Sequence, residues 1–286
     1  MRKLIYIACT VVVMILAMVS CATDDAPMEK VKVTFTAKIP SVADSRSGEL
    51  FGMGEYVDRL YCAIYEQGKN GQYTFVHPDV VERSGDGFSY SPYLTRGRTY
   101  KIAFWAMTEG AYAISNDLTN IVIPSNLSCN DYTKEAFAGV SEDVVVNASH
   151  GAPIAVELKR PFAMLNFATT MNSMQKAQMD KMKAEVTVTC NNGVAESYNV
   201  LTKEIISSGD KIYTFTEAEI LGTECVRDHV TYICLTSCYV MPVENNMEVT
   251  AKIVVKKDDE MIGSLTIEEV PLTVNYSTNL YGKILE

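Results

Sequence analysis

The densest group of metal-ligating residue types lies in the last third of the sequence. Cys225, His229, Cys234 and Cys238 fall within 14 residues of one another. Zinc binds thiolates and imidazoles that are spaced this closely. However, the alternating run Val230–Val240 predicts a continuous strand, in which Cys234 and Cys238 would lie about 13 Å apart. Two sulfurs at about 2.3 Å from one zinc ion are incompatible with that separation. Buried thiols, or a disulfide with another segment, are favoured, and no metal site is predicted.

Other residues with catalytic potential form no recognisable motif. The three histidines, His77, His150 and His229, are scattered. The sequence contains no nucleophile elbow, zinc-protease helix, phosphate-binding loop or dinucleotide fingerprint. The acidic runs 24–25 and 258–260 are interpreted as a tether and a hairpin tip. A carboxylate pair brought together from distant strands would leave no local signal. We predict that the protein is not an enzyme and requires no cofactor.

Aromatic side chains offer a second kind of chemistry, the stacking of sugar rings. The sequence has 16 tyrosines and one tryptophan, Trp105. Tyrosine is also a common strand residue, so burial is the favoured interpretation. The tyrosines considered as stacking platforms are Tyr56, Tyr61, Tyr65, Tyr90, Tyr93 and Tyr100.

The elements that position these residues are predicted to be strands. In residues 153–170, two alternating runs are joined by Arg160-Pro161, and period-two alternation is typical of strands with one buried face. Short strands recur along the chain, and one helix is predicted over residues 172–183, with Asn172 or Ser173 as its cap. We predict an all-β protein of two β-sandwich domains, residues 31–160 and 161–286, with a short helix in the second.

The first 30 residues are predicted to export and tether the chain. Arg2-Lys3, the apolar run 4–19 and Ser20-Cys21 resemble a bacterial lipoprotein signal, so residues 1–21 form the signal peptide and Cys21 carries lipid such as palmitate. Residues 22–30 follow as a tether. Plain secretion or an uncleaved anchor are the alternatives. Loss of two basic residues changes the net charge from −10 to −12, which argues against nucleic acid and anionic lipid head groups as partners.

An exported chain permits disulfides. Six cysteines remain outside the signal and the lipid site, and about 15 full pairings are open to them. They are Cys62, Cys129, Cys190, Cys225, Cys234 and Cys238.

Arg46 is the single residue that most suggests processing. It lies in a Ser/Gly-rich loop after the alternating run 31–39, where backbone is accessible to proteases. A solvated loop arginine is the alternative interpretation.

Five segments together resemble the fimbrillin superfamily of surface lipoproteins, and the first is the alternating run 31–39 that follows the tether. ELKRPFAMLNF at residues 157–167 is similar to the family's Leu-x-Arg-Pro-Phe-Ala-x-Leu-Asn motif. NYSTNLYG at residues 275–282 resembles a segment near the end of many members, with Ser277 in place of the usual Arg. YKIAFWAM at 100–107 and EAFAG at 135–139 resemble an aromatic strand and a turn of the family.

The resemblance implies two transthyretin-like β-sandwich domains in a protein anchored by lipid to the outer membrane and exposed at the surface or in fimbriae. It implies cleavage by an arginine-specific protease between Arg46 and Ser47, loss of the first strand, and donor-strand pairing with another fimbrial subunit. The inward face of the displaced strand would consist of Val31, Val33, Phe35, Ala37 and Ile39.

The position in a pilus stays open at this point. Residues 280–285 would complete the protein's own sheet, so stalk, tip, anchor and free-standing roles are all considered. The alternative function is a stand-alone lipoprotein of the same fold that binds a glycan or a protein on a host or bacterial surface.

Overall fold

The computed structural model describes residues 28–39, 54–147, 151–207 and 209–285. Within these ranges the chain forms 22 β-strands, one α-helix and two 3-10 turns. None of the helices in these ranges is long and apolar enough to cross a membrane. The predicted signal peptide 1–21 with Cys21, most of the predicted tether, and the predicted cleavage position at Arg46-Ser47 lie outside the described residues.

The described residues up to position 169 form fourteen elements. They are β1 Lys30–Lys32, β2 Phe35–Lys38, β3 Arg59–Gln67, β4 Tyr73–Glu82, β5 Gly87–Tyr90, β6 Tyr93–Thr95, β7 Thr99–Met107, β8 Ile121–Val122, β9 Asn126–Ser128, a 3-10 turn Tyr132–Lys134, β10 Ala136–Val140, β11 Val144–Val145, β12 Ile154–Glu157 and β13 Ala163–Thr169.

The second half begins with the helix and continues with longer strands. Its elements are α1 Ser173–Lys176, a 3-10 turn Met179–Lys181, β14 Met182–Cys190, β15 Ala195–Tyr198, β16 Ile205–Ser207, β17 Ile212–Glu219, β18 Glu224–Arg227, β19 Val230–Val240, β20 Met247–Lys257, β21 Glu260–Leu272 and β22 Ser277–Gly282.

The N-terminal sandwich packs two layers of strands over one core. One layer has the order β10-β7-β3-β4, with β11 also paired to β7. The other layer consists of the sheet β12-β2-β5 and the pair β1-β6. Phe35 of β2, Leu60 of β3 and Phe104 of β7 meet in the core between the layers. The alternating apolar residues of each strand supply this core, as expected for sheets with one buried face.

The C-terminal sandwich has the same plan with longer strands. The sheet β18-β19-β13-β22 faces the sheet β21-β20-β14-β17-β9. Phe167 and Leu235 from the first sheet pack against Val188 and Ile253 from the second. The prediction of an all-β protein with two β-sandwiches and one short helix in the second is therefore confirmed.

An aromatic cluster packs where the two sandwiches meet. Trp105, Phe162 and Tyr239 belong to it, and the small sheet β16-β15-β8 lies beside it. Strands β8 and β9 precede residue 160 in sequence but pair with β15 and β17, which follow it. The domain boundary at residue 160 stays a prediction.

The prediction that each run of residues 153–170 has one buried face is wrong for the second run. All seven residues of β13 are buried. Leu165 and Phe167 face the second core, whereas Met164 faces the aromatic cluster. A strand that separates two apolar cores loses its solvent face, and local alternation cannot reveal this.

The predicted helix is also shorter than expected. Only Ser173–Lys176 is α-helical, a 3-10 turn follows, and Met182 already begins β14. A capping box between Asn172 and Gln175 starts the helix as predicted. Met174, however, is 76% exposed. Since helices depend on packing of an apolar face, the loose methionine stripe does not sustain one.

Candidate functional site

The first two strands of the chain fill a groove in the N-terminal sandwich. Their apolar residues alternate with Lys and Thr, and every second side chain enters the core. Val33 and Phe35 are among the least exposed residues of the protein. The five residues predicted as the inward face of this segment, Val31, Val33, Phe35, Ala37 and Ile39, are all buried.

Hydrogen bonding holds this segment on both edges. Strand β2 pairs antiparallel with β5 and parallel with β12. Strand β1 pairs antiparallel with β6. Between them the ladder is interrupted at residues 33–34, where Val33 N donates to Pro92 O at 3.0 Å and Ile154 N donates to Thr34 O at 2.8 Å. The predicted single strand is thus two strands that continue one another, with β2 at the centre of its sheet.

The groove packs closely against the Phe35 ring and against the β2 backbone. The ring of Phe35 lies 5.9 Å from that of Phe104 and 6.3 Å from that of Tyr90. Gly87 of β5 faces the backbone of β2, and a Cβ there would lie 2.5 Å from Ala37 O. Glycine at position 87 therefore allows the close approach of the two strands.

The loop that carries Arg46 and Ser47 starts at this segment, and both residues lie outside the described ranges. The described chain resumes at Gly54, which two hydrogen bonds hold in place. The Gly54 amide donates to Glu135 Oε2 at 2.6 Å, and Arg83 Nη1 donates to Gly54 O at 2.5 Å. The described residues on both sides of positions 40–53 are thus held by hydrogen bonds to other parts of the sandwich.

Glu135 belongs to a buried ion pair at the junction of the two sandwiches. Arg160 Nε lies 2.6 Å from Glu135 Oε1, and both side chains are at most 4% exposed. The Arg160 guanidinium also lies 4.6 Å from the centre of the Phe137 ring. Burial raises the pKa of Glu135, against the lowering effects of Arg160 and the Gly54 amide. Removing one partner would leave a buried uncompensated charge.

The motifs singled out in the sequence meet at this junction. Glu135 of EAFAG binds Arg160 of the ELKRPFAMLNF motif. The Arg160 amide donates to Asn275 Oδ1 at 3.4 Å, and Asn166 Nδ2 donates to Asn279 Oδ1 at 2.7 Å. The motifs therefore fasten the start of the second sandwich to its last strand. The individual role of Glu135 was missed because its partner is 25 residues away in the sequence.

The last strand occupies a different kind of position. Strand β22 is at the edge of its sheet and pairs, in parallel, with β13. Ile284 and Leu285 beyond it are buried in the second core, and Leu285 bridges to Gly263 of β21. Residues 280–285 are therefore integrated into the C-terminal sandwich.

The aromatic residues considered as sugar platforms are mostly enclosed. Trp105 is 0% exposed and packs against Tyr112, Phe162 and Tyr198. A surface role for Trp105 is therefore wrong. Among the tyrosines named above, Tyr65, Tyr90 and Tyr100 are buried, whereas Tyr56 and Tyr93 are exposed.

The structure does not bring the cysteine and histidine residues of positions 225–238 together at one site. Strand β19 has a bulge between Cys234 and Thr236, which pair with the consecutive β13 residues Ala168 and Phe167. Cys234 Sγ lies 3.5 Å from Cys225 Sγ, whereas Cys238 Sγ lies 3.9 Å from Cys129 Sγ. His229 is in the tight turn between β18 and β19, with φ of +64°. Among the described residues no group of His, Cys, Asp and Glu is arranged to hold a metal ion.

Comparison with known proteins places the chain in a family. The model of DUF6562, a family of unknown function, matches residues 24–286. The chain belongs to this family. No curated protein matches the sequence.

Solved structures share the fold at very low identity. A Bacteroides thetaiotaomicron protein provisionally described as polysaccharide binding (DUF1812) has a TM-score of 0.51 and 12% identity, over 88% of this chain and 89% of that one. A provisionally assigned cell adhesion protein from Bacteroides uniformis has a TM-score of 0.51 and 9% identity, over 92% and 94% of the two chains. A similarly described protein from Bacteroides fragilis has a TM-score of 0.50 and 8% identity, over 90% and 93%. At these identities the likeness concerns the fold alone.

Proposed function

We propose that this DUF6562 protein is a surface lipoprotein that works in adhesion or pilus assembly, as a fimbrial-type subunit that pairs strands with a neighbour. The observation that carries the proposal is the position of β2. It is close to the start of the chain, yet it is the central strand of its sheet, with β5 on one edge and β12 on the other.

Such an arrangement makes the strand exchangeable. If residues 30–39 leave, the edges of β5 and β12 lose their partners, and the pockets of five alternating apolar side chains open. An extended segment of another chain would satisfy the same backbone groups and fill the same pockets, which is the physics of β-strand addition. Cleavage at Arg46 would separate the strand covalently, while Gly54 stays bound to Glu135 and Arg83.

The proposed location of the protein, at the outer membrane, is inferred from its N-terminal sequence. A lipid on Cys21 would tether the uncleaved protein to the outer membrane, and cleavage between Arg46 and Ser47 would free it from that tether. The names of the structural neighbours, which include cell adhesion proteins, are consistent with a surface role. No catalytic role is proposed.

The test is limited digestion of the folded protein with an arginine-specific protease, followed by mass spectrometry and strand exchange. We expect a chain that begins at Ser47, with residues 30–39 still bound noncovalently. After mild denaturant and dilution, a fluorescent peptide of residues 29–39 should bind the cleaved protein with raised anisotropy. A matched peptide with Phe35→Asp should not bind, because a carboxylate would enter the core.

Two controls test whether cleavage at Arg46 is the event that allows peptide binding. The Arg46→Gln protein should resist cleavage at this position and should not take up peptide. Cleavage at other exposed arginines, such as Arg227, is recognised by fragment mass. If Arg46 stays intact while other arginines are cut, or if the cleaved protein accepts the Phe35→Asp peptide equally well, the strand-exchange proposal is wrong.

A second candidate function is glycan binding, favoured by one cleft. This cleft, of about 700 Å³, lies between β4 and the turn from β5 to β6. Exposed Tyr93 offers a ring for stacking. Asp79 and Glu66 offer carboxylates, which already accept bonds from Tyr90 and Tyr100 at 2.5 and 3.0 Å.

The glycan candidate is separable from strand exchange. Binding to an array of bacterial and host glycans should be lost in Tyr93→Ala and kept in Tyr56→Ala, whose ring is also exposed but lies outside the cleft. An array without hits for the intact protein would remove this candidate and leave the first untouched.

A further inference from the structure

Four of the six described cysteines are arranged in two pairs. Cys225 Sγ lies 3.5 Å from Cys234 Sγ, and Cys129 Sγ lies 3.9 Å from Cys238 Sγ. All four are free thiols in the structure. The sequence left the disulfide pairing open. The fold leaves two candidate disulfides, Cys225–Cys234 and Cys129–Cys238.

The Cys225–Cys234 pair spans neighbouring strands of one hairpin. Cys225 is opposite Tyr232 and Glu224 is opposite Ile233, while Cys234 N donates to Thr223 O at 2.8 Å. Cys225 and Cys234 are therefore diagonal neighbours on the same face of the β18-β19 ladder. The turn that joins the strands has Asp228 and His229 at φ of +49° and +64°. Two consecutive residues with positive φ are typical of the tight turns that fix hairpin register.

The two pairs differ in access. Cys225 is partly exposed, whereas Cys234 is buried. Burial, then the neighbouring Cys225, raises the pKa of Cys234 to about 12. Cys129 and Cys238 are 3% and 1% exposed, inside the core of the C-terminal sandwich. A dissolved oxidant reaches a partly exposed sulfur, while an enclosed thiol is inert.

We propose that Cys225 and Cys234 form a disulfide that staples the hairpin of β18 and β19, and that Cys129 and Cys238 stay reduced in the folded protein. The inference is independent of the proposed function.

The chemistry requires a disulfide-bearing oxidant, for which oxidised glutathione serves. The Cys225 sulfur, after losing its proton, attacks one sulfur of the oxidant, and one glutathione leaves as a thiolate. Cys234 then loses its proton and displaces the second glutathione from the mixed disulfide. One protein S–S bond forms, the S–S bond of the oxidant breaks, and two electrons pass from the two cysteines to the two departing glutathiones.

The geometry needs a modest adjustment. A disulfide requires sulfurs at about 2.05 Å, so the two atoms must approach one another from 3.5 Å. Cys225 is on β18, the edge strand of its sheet, which is paired to β19 alone among the described strands. An edge strand of four residues shifts more readily than the central strand β19.

A tryptic map distinguishes the pairings, because Arg227 separates the two cysteines. The folded full-length protein is treated with oxidised glutathione, alkylated in denaturant without reduction, and digested. We expect residues 212–227 linked to residues 228–252, with a mass about 2 Da below the sum of the two peptides. A Cys129–Cys238 bond would instead link residues 102–134 to 228–252. A bond between Cys234 and Cys238 would lie within one peptide.

We expect the peptide pair 212–227/228–252 in at least about tenfold higher yield than the pair 102–134/228–252, because access of the oxidant to the sulfur governs the rate. The Cys225→Ser protein should lose the link. Cys238→Ser serves as the matched control and should keep it. If residues 212–227 are recovered only in alkylated form, or if the 102–134 link predominates, the proposal is overturned. Since Cys225 is partly exposed, its serine variant should fold, which far-ultraviolet circular dichroism verifies.

Discussion

Strands β2 and β22, near the two ends of the described chain, both complete a sheet, but they do so in different ways. Strand β2 is central in its sheet and has partners on both edges, whereas β22 is at an edge and pairs with β13. Phe35 of β2 is almost completely buried, while all six residues of β22 are only half-buried. Strand β2 therefore contributes more burial than β22.

The two strands also differ in how they are attached to the rest of the chain. Strand β22 continues directly into the buried residues Ile284 and Leu285 and is fastened by the bond between Asn166 and Asn279. Strand β2 is followed by residues 40–53, which include Arg46 and lie outside the described ranges, and the Gly54 amide beyond them donates to Glu135. If the chain is cut at Arg46, as proposed above, the central strand β2 loses its covalent link to the rest of the sandwich and is suited to exchange. A weakly buried strand attached by its own side chains and tail is suited to stay.

The largest effect should come from β2. Phe35→Ala should lower the free energy of unfolding by about 3–5 kcal/mol, because the ring fills the core against Tyr90 and Phe104. Leu280→Ala in β22, half-buried, should cost about 1–2 kcal/mol. Denaturant titrations followed by Trp105 fluorescence and circular dichroism would give both values. Equal losses, or a larger loss for Leu280→Ala, would reverse the comparison.

The next effect concerns the anchor on the far side of the loop. Glu135→Gln should destabilise the protein by about 3 kcal/mol, since Arg160 would remain buried without its counter-charge. It should also speed hydrogen exchange at the Gly54 amide. Glu109→Gln, which breaks an ion pair with Arg59 at the surface, is the control and should cost less than about 1 kcal/mol. A loss no greater than that of the control would mean that the buried pair does not hold the loop end.

A smaller effect is expected where β22 is fastened. Asn279→Ala should cost about 1–2 kcal/mol, because Asn166 would lose a hydrogen-bond acceptor in a partly buried site. The amides of β22 should then exchange faster than those of β2. Ser277→Ala is a control in the same strand: its hydroxyl is enclosed without a hydrogen-bond partner, so its removal should leave stability unchanged or slightly higher. A neutral Asn279→Ala would show that the tail alone retains β22.

The smallest effect should come from the exposed ion pair at the start of β1. Glu29 and Arg96 are 2.6 Å apart, with side chains 61% and 49% exposed. Glu29→Gln should change stability by at most about 1 kcal/mol, and less at high salt. In the cleaved protein, release of residues 30–39 should be only slightly faster. A large acceleration would mean that surface charge, and not the buried apolar face, retains the strand.

Period-two alternation was sufficient to find most strands and the inward face of the first one. Residues 31–39 place an apolar residue at every second position, and a half-buried strand buries such a set whatever its partners are. The same rule failed at β13, because its two faces meet two different cores. The helix prediction failed for a related reason: Asn172 and Gln175 form the cap locally, but the stripe behind it has nothing to pack against at Met174.

Local patterns in the sequence predicted the all-β class, the two sandwiches, the buried face of residues 31–39 and the motifs of the junction. These features follow from side-chain period and from local residue types. Only the tertiary structure decided that β2 is central in its sheet, that Glu135 and Arg160 share one buried site, that Trp105 is enclosed and that Cys225 lies beside Cys234. Each of these depends on which distant segments become neighbours, and sheet order is set by packing of the whole chain, which no local pattern encodes.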